Sequence, residues 1–247
     1  MDSALRGALF FWRGFRLIGK KGVRLYALGP VLISLALFAA AVWFGQDWAR
    51  DGIDRMVAWV PSWLGFLSGV LTVIYWIGVI LIFGYGFVTV SSLLACPFNG
   101  LLAEAVERRV AGRSPPDSSF LRTLARTPIV LVQESKKILY YLFWCLPFLV
   151  LFITPAAPAA PALWFLFSAW MLALEFSDYP MDNHELSFRQ MRKLLSGRKM
   201  MALGFGSMVL VCVATPILNV LVVPAGVSGA TLMWIEVLSL DLRAQSL

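Results

Sequence analysis

Charge is missing from four long stretches of this 247-residue chain, and that distribution constrains its fold more tightly than any motif does. The stretches are residues 25–49 (interrupted only by Asp47), 56–103, 138–174 and 200–235. Each is longer than the roughly 18 apolar residues that mark a spanning helix. Hydrophobic residues make up 60% of the sequence and charged residues 14%, where a soluble domain carries roughly a quarter charged. A water-soluble core cannot absorb that much apolar surface. The chain is therefore expected to be an all-α integral membrane protein, with residues 1–247 forming a single membrane domain.

The 21 Lys and Arg against 14 Asp and Glu leave a net charge of +7. These bases flank the apolar runs and do not gather into a soluble basic domain, which points to membrane topology and to no nucleic-acid partner. Cys96, Cys145 and Cys212 lie within apolar runs without zinc or CxxC spacing and read as small buried hydrophobes. The first apolar run follows 24 residues carrying six basic groups and is too long for the apolar part of a signal peptide. It is expected to stay in the mature protein.

Residues 1–24 form an amphipathic pattern. At 100° per residue Asp2, Arg6, Arg13, Arg16 and Lys20 share one face, and Ala4, Leu5, Ala8, Phe11, Trp12, Phe15 and Ile18 fill the opposite one. This predicts a helix lying on membrane lipid, cations toward anionic headgroups. The alternative is a cytosolic helix packed on the protein's own loops. Residues 25–44 then give about 30 Å of helix and a first span, with a bend expected at Gly29-Pro30. The connector 45–55 balances three acids against two bases, as an outside loop does. Trp59, Pro61 and Trp63 suit an interfacial approach to a second, tilted span over 66–95, which Cys96-Pro97-Phe98-Asn99-Gly100 is expected to break.

Seven bases against four acids mark 104–137 as cytoplasmic, and five bases mark 175–199 likewise. The run between them, 138–174, must then leave and return. Its arms, 138–153 and 162–174, amount to about 24 and 20 Å of helix, short of the roughly 30 Å hydrocarbon core. Thr154, Pro155, Pro158 and Pro161 join them. Residues 200–235 are interrupted at Thr215-Pro216 and Val223-Pro224 and predict a second such hairpin. The expected architecture is thus two long transmembrane helices, two re-entrant (half-inserted) helical hairpins, and amphipathic interfacial or cytoplasmic helices. Interrupted helices of this kind place ion sites at mid-membrane helix ends, which points to a transporter or channel.

Lys20-Lys21-Gly22-Val23-Arg24 sets cationic side chains where free amides begin a helix, a combination that suits a tetrahedral oxyanion. The same bases also serve plain topological anchoring. Glu104 and Arg108 have the i,i+4 spacing of a helical ion pair, beside Glu107 and Arg109; they line a polar path if that helix enters the bilayer and form a solvated face if it does not. Asn99 precedes them. Gln133, Asn183 and Asn219 are lesser polar candidates, Asn219 standing out because it falls inside an apolar hairpin. His184 is the only histidine, and the chain carries no HExxH, GxSxG, Walker or GxGxxG motif. No enzyme, metal or cofactor is expected, and His184 is expected in a loop, capped by nearby acids.

Four strings carry a family likeness: Gly22-Val23-Arg24; Pro97-Phe98-Asn99-Gly100-Leu101-Leu102-Ala103-Glu104; Leu163-Trp164-Phe165-Leu166-Phe167-Ser168-Ala169-Trp170-Met171-Leu172; and Asp178-Tyr179-Pro180-Met181-Asp182-Asn183-His184. In order and spacing the chain resembles the bacterial sulfate permease CysZ family. The resemblance implies ATP-independent sulfate uptake across the bacterial inner membrane to feed cysteine biosynthesis, by a homo-oligomer. It also implies that sulfate binds at a Gly-x-Arg element, here Gly22, Val23 and Arg24. By the reading of the residues themselves, Asn99, Glu104, Glu107, Arg108 and Asn219 are the candidate pathway residues. Relatives often carry a second arginine after that element, where this chain has Leu25. The competing expectation is a non-transporting accessory or structural subunit of a sulfate-assimilation complex.

Overall fold

A computed structural model describes residues 3–61, 63, 65–112, 139–148 and 150–245. Every regular element among them is helical. Their contacts divide the chain into two compact units, Gly29–Cys96 on the one hand and Met1–Leu28 with Pro97–Leu247 on the other.

The first of these units is built from most of α2 (Arg24–Ala58) and the first part of α3 (Gly65–Ala111). Both helices outrun their expected spans. Residues 45–55, expected as an outside loop, are helical, because the alternating charges Asp47, Arg50, Asp51, Asp54 and Arg55 fall at i,i+3 and i,i+4 spacings that support a helix as it leaves an apolar environment. Cys96–Gly100, expected to break the second span, are helical too. The boundary between the two units falls at Gly29 and at Cys96, beside Pro30 and Pro97. Within this unit Ala49 and Ile53 are buried, and Tyr75 on α3 closes over Gly52. Leu35, Phe38 and Val42 on α2 and Val73, Ile77 and Ile80 on α3 are exposed, a surface tolerable only against lipid. Trp43 and Trp48 on α2 and Trp59 and Trp63 at the α2–α3 turn are exposed, as interfacial tryptophans are.

The second unit has a helical core. α8 (Pro216–Met233) is its centre, with Val222, Ala225, Val227, Ala230, Leu232 and Met233 all buried. It is packed by α1 (Ser3–Ile18), α5 (Ala160–Asp182) and α7 (Lys199–Val213). Small residues bring these helices to backbone contact. A Cβ on Gly7 or Gly14 would collide with the Met201 or Ala225 carbonyl, and one on Gly204 or Gly206 with those of Ala4 or Ala169. α1 is therefore not simply laid on lipid. Its Gly7, Phe10, Phe11, Gly14 and Ile18 stripe is buried in protein, while Leu5, Leu9 and Trp12 remain exposed.

α4 (Leu139–Phe152) and α5 form the first hairpin. Phe148 stacks on Phe167 with ring centroids 4.9 Å apart, and Tyr141 lies 5.6 Å from the same ring. A 3-10 turn, Ala157–Ala159, carries the proline-rich tip. The second arm runs to Asp182, well past the expected limit at 174, so the helix continues through Glu175, Asp178 and Asp182 after the apolar pattern stops. In the second hairpin, α7 ends at Val213 and α8 begins at Pro216, as expected from Thr215-Pro216. Pro224 does not interrupt α8. It removes one helical hydrogen bond, and close packing at Ala225, Gly226 and Gly229 holds the helix regardless. Among the described residues, Ala157–Asp182 and Leu221–Ala244 are long and apolar enough to cross a membrane, and α6 (Phe188–Gly197) with α7 forms a pair bent by 103°.

Candidate functional site

The C-terminal end of α3 gathers the site. Asn99, Glu104 and Glu107 are buried, Glu104 and Glu107 each only 7% exposed, whereas Arg108 and Arg109 reach solvent. Glu104, beyond the expected span over 66–95, has its carboxyl pKa raised: burial is the main cause, Arg108 pulls the other way, and the Glu107 charge adds to the rise. The segment is thus neither a wholly solvated face nor a plain apolar span.

The α1–α2 loop lies against this segment. Gly22 has φ +87°, the left-handed region that glycine enters without strain, and it turns the chain between Ile18 and Arg24. Val23 is completely buried and anchors the turn, leaving Lys20, Lys21, Gly22 and Arg24 exposed around it. The amides of Val23 and Arg24 both donate to the Lys20 carbonyl at 3.1 Å, and those of Tyr26 and Ala27 to the Val23 carbonyl. Leu25 has no such backbone acceptor among the described residues. An amide in the first turn of a helix has no intrahelical acceptor, and the Lys21 carbonyl, one turn back, accepts 3.1 Å from an Arg109 guanidinium nitrogen on α3. The two regions singled out in the sequence, Gly22–Arg24 and Asn99–Arg108, are in this way tied together across 88 residues.

A turn after α5 closes the other side. Asn183 donates its side-chain amide to the Gly100 carbonyl at 2.9 Å. His184 Nε2 lies 3.0 and 2.9 Å from the two Glu107 oxygens. His184 thus meets a carboxylate 77 residues away in sequence. Glu185 sustains the turn with φ 62°, unusual for a residue with a side chain. Trp234 packs on His184 with centroids 5.1 Å apart. It opens a π-helical segment, Trp234–Leu238, and such bulges concentrate at functional sites. From the same segment Glu236 accepts both arms of the Arg13 guanidinium, one at 2.9 Å, so α1 is bound to it as well.

Asn219 falls on α8, but its side chain lies outside the described residues, as do Gln133 and the rest of the expected cytoplasmic segment beyond Gly112 up to 137. Arg109, His184 and Trp234 are contributors that the sequence alone did not single out as site residues. For Arg109 and His184 the available signal was their position beside Arg108 and Asn183; for Trp234 there was none.

A buried, partly charged constellation held at helix ends inside an apolar helical bundle is the build of a membrane transport protein. A family model described as Sulfate transporter CysZ/Etoposide-induced protein 2.4 matches residues 10–224. The chain belongs to this family and is a sulfate-transporter-like membrane protein.

Proposed function

We propose that the protein is an ATP-independent sulfate permease of the bacterial inner membrane, a homo-oligomer supplying sulfate for cysteine biosynthesis. Gly22, Val23 and Arg24 form the element that captures the dianion, through the Arg24 fork and the free Leu25 amide that follows it, with Lys20 and Lys21 contributing the charge that the Leu25 side chain lacks. Asn99, Glu104, Glu107 and Arg108, joined by Asn219, line the route beyond. The hairpins enter from the cytoplasmic side and turn within the bilayer. In support, α4 is 14 residues and α7 is 15, about 21 and 22 Å of helix, less than the hydrocarbon core. The apolar part of α5 ends at Leu174, after which its acids leave the membrane.

The observation that supports this reading most is the Arg109–Lys21 hydrogen bond, because it brings the turn at Gly22–Arg24 against the segment that carries Glu104–Arg108. Sulfate uptake by sealed liposomes holding the purified protein alone is the test. Uptake that saturates, and a higher half-saturating sulfate concentration in Arg24→Ala, is the expected result. No sulfate movement in the absence of any partner would favour an accessory role instead.

A further inference from the structure

α6 is a second charged feature, independent of the sulfate site. It begins sharply at a capping box in which the Ser187 amide donates to Gln190 Oε1 at 2.8 Å. Its Met191, Leu194 and Leu195 are buried against the protein. Arg189 and Lys193 are exposed, Arg192 is half-buried, and no acid occurs between Phe188 and Met200. Arg198, at the bend, is already neutralised by two hydrogen bonds to Asp241 at 2.8 and 2.9 Å. Among the described residues, Arg189, Arg192, Lys193 and Lys199 are the bases of this face that no acid pairs with.

Two observations set the depth of this face. α7 is apolar from Met200 onward, and Met200 is 58% exposed on its surface. Gly197 lies only three residues away, a reach of about 10 Å at most. On the other side Arg192 lies over the Tyr140 ring at 5.1 Å, and Tyr140 opens α4, whose Leu139, Leu142, Phe143 and Leu146 are exposed. Tyrosines at the start of lipid-facing helices sit at headgroup level. The 103° bend then lays α6 across the end of α7 instead of continuing its line. A cationic helix at that depth meets phosphate groups before it meets bulk water.

We infer that the Arg189, Arg192, Lys193 and Lys199 face of α6 is a docking surface for anionic phospholipid headgroups, which pins the α6–α7 bend to one leaflet. Each base near an anionic surface strengthens attachment about fivefold, so losing two weakens it about twenty-fivefold.

The full chain in neutral detergent micelles, titrated with phosphatidylglycerol or phosphatidylcholine and read by native mass spectrometry, tests this. Arg189→Gln with Lys193→Gln, both exposed and so without consequence for folding, is expected to weaken phosphatidylglycerol binding about twenty-fivefold and to leave phosphatidylcholine unchanged. Arg50→Gln with Arg55→Gln removes the same net charge elsewhere and is expected to have no effect. Equal phosphatidylglycerol binding by wild type and the α6 variant, or an equal loss in the control, would overturn the inference. So would displacement of the lipid by sodium sulfate at ionic strengths where sodium chloride displaces none, since the face would then belong to a free anion.

Discussion

Arg109→Ala is the most informative change at the proposed sulfate site, because Arg109 acts on the site through a carbonyl. Its guanidinium holds the Lys21 carbonyl at 3.1 Å. That contact compensates the partial negative charge of the Lys21 carbonyl beside the proposed anion element, where the Leu25 amide, in the first turn of α2, has no backbone acceptor among the described residues. Truncation leaves that carbonyl's partial negative charge uncompensated beside the dianion. Hydrogen bonds to charged groups contribute about 1.5–3 kcal/mol when shielded. This one is solvent-exposed, so about 1 kcal/mol is the appropriate scale. At that scale the half-saturating sulfate concentration in liposome uptake rises about fivefold. Maximal flux should be little changed, since Arg109 does not touch the route itself. Arg109→Lys, which keeps a charged donor, should recover part of the affinity. Unchanged half-saturation, or a fall in maximal flux alone, would refute the positioning role.

Burial raises the Glu104 pKa, so the folded state holds that proton more tightly than the unfolded chain. The associated stability is present at low pH and lost as pH rises through the folded pKa; Glu104→Gln should therefore raise the melting temperature at pH 7, the gain vanishing below the ordinary glutamate range of about 4.3. A gain that persists unchanged at pH 4 would contradict the burial argument. His184→Ala leaves the Glu107 carboxylate buried and unpaired, which costs about 1–3 kcal/mol and lowers the melting temperature by on the order of 3–10 °C; thermal unfolding in detergent measures it. Gly206→Ala forces α5 from α7 and should cost about 3 kcal/mol, whereas Gly69→Ala, in open space, should be neutral or mildly stabilising in the same assay.

The all-helical class, the break at Thr215-Pro216 and the proline-rich tip between α4 and α5 were legible in the linear chain, because each rests on a local signal: apolar run length, or a backbone donor that proline lacks. The ends of α2, α3 and α5 were not. Their charged residues signal where an apolar environment stops, which differs from where a helix stops; in α2 and α3 opposite charges at i,i+4 support the continuation. Gly22–Arg24 and Glu104–Arg108 could be picked out as two separate clusters, but nothing local says that Arg109 reaches Lys21 or that His184 reaches Glu107. Hydropathy likewise treats α1 as a surface helix, while Gly7 and Gly14 let it sink against α7 and α8. Residue chemistry along the chain thus determined the solvent this protein folds in and the anion-suited groups it carries. Which of those groups meet was decided by tertiary packing alone, since a contact across 77 or 88 residues depends on where whole helices are seated.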